Sequence, residues 1–199
     1  MADYNAEELE NSMKKFTKFA KKLFSNDENN LASIENFLNV FGERIVMCPA
    51  TIMQSNNWSR PGGLLDYSLE ITTKMIAIRD AMEMDISNKN IGVVGLFHYI
   101  GMIGDQKEEL LFPHDSDWHI KQGRLYKFNE KIQKMSIPHR SLFLLQEFGV
   151  KLTQDEWLAI LLCNGQAKEE NRFYLYNEND LAILLMQAKN WVERKTGRE

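Results

Sequence analysis

The chain has 199 residues, 44% of them apolar and 11% aromatic, with ten methionines, which is enough for one substantial core. Its 28 acidic and 24 basic residues leave a net charge of −4. That balance argues against extended binding of a nucleic-acid backbone and leaves room for a small basic pocket. Cys48 and Cys163 stand alone, so neither a disulfide framework nor a CxxC zinc site is expected, and a reducing, cytoplasmic setting is the default. The polar start "MADYNAEELE" is unlike a signal peptide. No apolar run approaches the roughly 20 residues of a membrane span, so no membrane partner is expected.

In chain order, Leu9, Met13, Phe16, Ala20 and Leu23 recur at three and four, which predicts a helix over 6–24. A second helix is expected over 31–41, stopped by Gly42. These N-terminal helices, residues 1–56, are expected to pack on the core of a domain spanning 57–199. "RPGGLLDYSLEITTKMIAIRDAMEM" opens with a turn at Pro61, Gly62 and Gly63 and continues as a long helix, with Leu65, Leu69, Met75, Ile76 and Met82 inward. Behind a Ser87 cap, residues 88–101 are apolar all round, the mark of a central buried helix. Residues 104–123 read as a polar loop. "RLYKF" and "RFYLY", at 124–128 and 172–176, suggest a small hairpin at the rim. Two helices follow Pro138, the second opened by a Thr153–Glu156 capping box, and an amphipathic helix closes the chain. The expected fold is all-α, about seven helices round one core.

Histidine is scarce. His98 ends the buried helix, where an imidazole can be either a hydrogen-bonded core residue or a ligand. His114, Asp115, Asp117 and His119 crowd one short loop; they can hold zinc or manganese, or simply be solvated. The PGG turn before a helix offers an anion cradle or a plain tight turn.

Taken in order, "PGGLLDYSLEI", "GLFHYIGMIGD", "DWHIKQGRLYKFN", "IPHRSLFLLQEFGVKLTQDEWLAILLCNG" and "ENRFYLYNENDLAILLMQAKNWV" resemble the HD-domain metal-dependent phosphohydrolases. The likeness is nearest to the compact HD proteins of large tailed bacteriophages, and it runs from about residue 57 to about 195. It implies an all-α HD bundle, a phage source and a place in the host cytoplasm. The family holds divalent Mn, Mg, Fe or Zn with histidines and carboxylates, and the metal lowers the pKa of an attacking water.

Carried over residue by residue, the likeness puts Tyr67 where the family has its first histidine. The His-Asp pair falls on His98 and Tyr99, and the following lysine on Met102. His139 matches a second-metal histidine, and Cys163 stands where a histidine or aspartate is expected. Lys189 takes the place of the last aspartate, and Asn57 that of an upstream histidine. One imidazole, two phenols and an ammonium are a poor set for a hard divalent ion, so neither a catalytic metal nor another cofactor is expected. If any metal binds, zinc at His98, His139 and Cys163 is the route left.

Two readings follow. One is a catalytically degenerate HD-fold protein that binds a nucleotide or a protein partner through a pocket of Tyr67, His98, Tyr99, His139, Cys163 and Lys189, with Arg60 beside it. The alternative is a metal-dependent nucleotide phosphohydrolase with a rebuilt site. Within the pocket, Lys189 can either supply positive charge for an anion or snorkel to solvent while the two tyrosines fill the space.

Overall fold

A computed structural model of the chain describes residues 5–54, 57–165 and 168–196. The start of the acidic N-terminal stretch lies outside the described residues, as does residue 56 at the expected domain boundary. Helix α1 (Ala6–Leu23) starts where the Asn5 side chain accepts from the Glu7 N–H at 3.1 Å. Glu7 and Glu8 sit at its positive end and Lys21 and Lys22 at its negative end. Helix α2 (Glu28–Met47) begins at an Asp27 cap and runs through Gly42, where a stop was expected. An interior glycine costs about 1 kcal/mol. Burying Phe41 and Ile45 on either side outweighs that cost.

Helix α3 (Gly63–Ala81) follows Gly62, whose φ of +77° suits glycine. Its C-terminal neighbour Met82 is 69% exposed rather than inward, because the helix has ended. Helix α4 (Asn88–Phe97) is capped by Ser87 and buries every residue from Ile91 to Phe97. It ends earlier than the expected residue 101. The chain tightens into a 3-10 turn at Ile100–Ile103, with His98 as the helix's C-cap.

The cause of that break is Ser141 on helix α6 (Ile137–Glu147). Its hydroxyl accepts from the Gly101 N–H at 2.9 Å and lies 3.0 Å from the carbonyls of His98 and Ile137, to which it can donate. A side chain at position 101 has no room, since a Cβ there would stand 2.5 Å from the Ile137 oxygen. Backbone groups that would have continued α4 are bonded to α6 instead.

The stretch expected as a loop holds strand β1 (Leu111–Pro113) and the short helix α5 (Asp117–Lys121). Strand β2 (Tyr126–Phe128) pairs antiparallel with β1 in the register Leu111↔Phe128, Phe112↔Lys127, Pro113↔Tyr126. The hairpin exists, but "RFYLY" is not its second strand. That segment falls at the end of a 3-10 stretch, Glu169–Tyr174, with Tyr176 at φ +63°. A partner close in sequence closes a short loop and buries Leu111, a smaller entropic cost than pairing across 40-odd residues.

Helix α7 (Gln154–Leu161) carries the expected reciprocal capping box between Thr153 and Glu156, and α8 (Asp180–Thr196) closes the chain. Helix α4 is the axis of the fold, packed by α1, α3, α7 and α8. Phe16 of α1 and Phe37 of α2 meet Phe97 edge-on at 5.8 and 6.4 Å, so the N-terminal helices share its core. Among the described residues the fold is all-α with one two-stranded sheet. Among the described residues no helix is long and apolar enough to cross a membrane.

Candidate functional site

The end of α4 delivers His98 to the middle of the bundle, fully buried. Its Nδ1 lies 3.2 Å from the Val94 carbonyl and 3.0 Å from that of Gly95. Both partners are acceptors, so Nδ1 carries the proton and donates. Nε2 is then an acceptor, and it is buried with no hydrogen-bond partner among the described residues. Burial, and after it the positive charge of Lys189, push the imidazole pKa down to about 3. His98 is therefore neutral across the physiological range.

Three more elements close on this ring. Tyr67, in the second turn of α3, lies 5.8 Å from it centroid to centroid, and Tyr99 lies 5.7 Å away. The two tyrosines are 5.4 Å apart, and Trp58 meets Tyr67 edge-on at 5.0 Å. From α8, the buried Lys189 holds its ammonium 4.8 Å above the Tyr99 ring. Cys163, buried after the end of α7, sits 4.0 Å from the His98 carbonyl. So Tyr67, His98, Tyr99, Cys163 and Lys189 come together from four parts of the chain.

Lys189 does not simply snorkel. It lies 3.9 Å from Glu193, one turn on, and Glu193 accepts a 2.7 Å hydrogen bond from the Tyr67 hydroxyl. Glu193 is the member that sequence reasoning missed. Its i,i+4 spacing from Lys189 on an amphipathic helix was the available signal. Ser141 was missed too; nothing in a lone serine announces that it will tie Gly101 to His98.

His139 is not brought in. It is exposed at the start of α6, with Nδ1 2.6 Å from the Ser136 hydroxyl. The zinc route through His98, His139 and Cys163 therefore fails on geometry. Among the described residues no three His, Cys, Asp or Glu side chains converge as a metal site. Arg60 is held at the PGG turn by Asp66, whose other oxygen takes the Ser12 hydroxyl, and by the carbonyls of Asn57 and Pro61. In the 114–119 loop the two imidazoles stack at 4.3 Å and do not converge on a point; Trp118 meets His119 edge-on.

Burial holds the phenols of Tyr67 and Tyr99 and the thiol of Cys163 above their ordinary pKa, so all three stay protonated near neutrality. Around His98 the charges are one ammonium and one carboxylate. A divalent metal, which wants several oxygen or thiolate donors, does not fit this set, and Lys189 would repel it. The cluster offers no thiolate nucleophile and no imidazole poised near neutral pH.

No protein-family model, no curated protein and no solved structure matches the chain.

Proposed function

We propose that this chain is a catalytically silent HD-type protein, phage-encoded and at work in the host cytoplasm, whose role is to bind a nucleotide or a protein partner rather than to hydrolyse a phosphoester. One observation carries the reading. Residues chosen only by their resemblance to the HD ligand positions, at 67, 98, 99, 163 and 189, meet around one buried imidazole, and a lysine stands where the family uses a carboxylate. The orphaned Nε2 of His98 supports it as well. A buried acceptor without a partner costs about 1–3 kcal/mol, an arrangement that makes sense in a scaffold once built round a metal. The space is closed by aromatic rings and by the Tyr67–Glu193 hydrogen bond, so stability is served where catalysis was lost.

Elemental analysis of protein purified without chelator, with a phosphatase screen in added Mn²⁺, Mg²⁺ and Zn²⁺, tests the silent reading. The expected result is no turnover. Near-stoichiometric metal with turnover abolished by His98→Ala would refute it. The family reading has its own test. The triple substitution Tyr67→His, Tyr99→Asp and Lys189→Asp restores the family's donor set, and it should bind Mn²⁺ near one equivalent by calorimetry. A variant with an intact helical spectrum that binds none would remove the family reading.

A further inference from the structure

A cleft of about 610 Å³ opens where the C-terminal ends of α1 and α3 meet the N-terminal turn of α4. No residue of the His98 cluster lines it. Its apolar part is Phe19 and Leu23 from α1 and Ile76 from α3, all half-buried and resting on the core. Gly92 of α4 lets them seat this low, since a Cβ there would stand 2.5 Å from the Leu23 Cδ2 and 3.2 Å from the Phe19 ring.

The charges around the cleft are not equally available. Arg79 is spent. Its guanidinium donates to Asp80, to the Ile86 carbonyl at 2.6 Å and to Asn88 at 2.8 Å. Asp80 is neutralised by that contact. Asp27 is engaged as the α2 cap, accepting from the backbone and side-chain amides of Asn30. Lys22 and Lys89, exposed on α1 and α4, remain. Among the described residues neither forms a close ion pair, although the Lys89 charge is felt by the buried Glu156 carboxylate. The Lys89 ammonium lies 5.6 Å above the Phe24 ring. The lining thus carries Lys22 and Lys89, with the Asp27 carboxylate beside them, over an apolar floor, and one net positive charge in a chain of net charge −4.

We propose that this cleft binds a small aromatic phosphomonoester, its ring on Phe19, Leu23 and Ile76 and its phosphate between Lys22 and Lys89. The volume lies in the range of small-molecule sites, about 300–1,000 Å³. Lys22 and Lys89 can both donate to a phosphomonoester, which carries between one and two negative charges at neutral pH, and the lining's net positive charge favours an anion. Asn26 and Asn88 on the rim can donate to and accept from a ring edge, which makes a nucleoside monophosphate one member of the class. The inference needs neither the family reading nor the central cluster.

The test titrates the full chain with 1-naphthyl phosphate, followed by ligand fluorescence and calorimetry. Inorganic phosphate and 1-naphthol are the half-ligand controls, and adenosine monophosphate is the nucleotide arm. At least one of the two esters should bind, with each half-ligand about tenfold weaker or worse, and affinity should fall with added salt. Lys22→Ala and Lys89→Ala should each weaken binding by about five- to tenfold with unchanged melting curves, while Lys134→Ala on another surface changes nothing. Which ester binds tighter separates a nucleotide from another aromatic phosphate. The proposal is overturned if neither ester binds at millimolar concentration, if the two lysine variants bind like wild type, or if naphthol binds as tightly as its phosphate. Release of naphthol would instead refute the silent reading and leave the cleft standing.

Discussion

Acidification from pH 7 to pH 5 works against the buried, neutral His98. In the folded protein its pKa is about 3, against an ordinary value of 6.5. Between those values the unfolded chain binds a proton that the native state refuses. The stability linked to His98 is therefore complete above pH 6.5 and is lost as pH falls toward 3. At pH 5, which is 1.5 units below the ordinary value, the loss is about 2 kcal/mol at roughly 1.4 kcal/mol per unit. Carboxylates add to acid destabilisation, so the informative quantity is a difference between variants. His98→Phe keeps a flat ring, removes the orphaned Nε2 and abolishes the titration. It gives up the Nδ1 donor to two carbonyls, of which the Val94 carbonyl already receives the His98 backbone N–H at 2.9 Å. Urea unfolding at pH 7, 6 and 5 reads both proteins. The wild type should lose about 2 kcal/mol more than His98→Phe between pH 7 and pH 5. Parallel pH dependences in the two proteins would show that His98 is not held neutral in the core, and the account of the cluster would fall with that.

Lys189→Met keeps the buried stem and removes the charge that helps depress His98, so the imidazole pKa measured by NMR titration should rise. An unmoved value would mean that Lys189 does not sit where its ammonium acts on the ring. Tyr67→Phe deletes the donor to Glu193 and should cost about 1 kcal/mol, read as a lowered urea midpoint with the slope unchanged. Ser141→Ala leaves the buried Gly101 N–H without its acceptor and should cost about 1–3 kcal/mol by thermal unfolding, with amide exchange accelerated at Gly101. Gly101→Ala should cost a similar amount, because the new methyl meets the α6 backbone rather than a movable side chain.

Local rules carried much of the fold. The stripe of α1, the Ser87 cap, the Thr153–Glu156 box and the apolar run of α4 are short-range features, and each appears in the structure where its residues stand. The errors lie where distant contacts outvote local preference. Gly42 is a weak helix residue, yet α2 continues because Phe41 and Ile45 find the core. Residues 98–101 extend the apolar run of α4, yet Ser141 on α6 takes their backbone bonds. "RFYLY" has strand composition, but among the described residues no strand pairs with it.

The site divides in the same way. The sequence by itself determined the chemistry available: which positions carry rings, a thiol, an ammonium or an imidazole, and how few ligands there are for a metal. Only the tertiary structure decided which of these meet. It gathered Tyr67, His98, Tyr99, Cys163 and Lys189, left His139 on the surface and Arg60 at its turn, and added Glu193. It also set protonation, because the depressed pKa of His98 and the raised ones of the tyrosines come chiefly from desolvation. Desolvation depends on everything packed round a group. A residue's identity is written at one position, while its burial and its partners are decided by distant chain segments, as Glu193 is for Tyr67, 126 residues away.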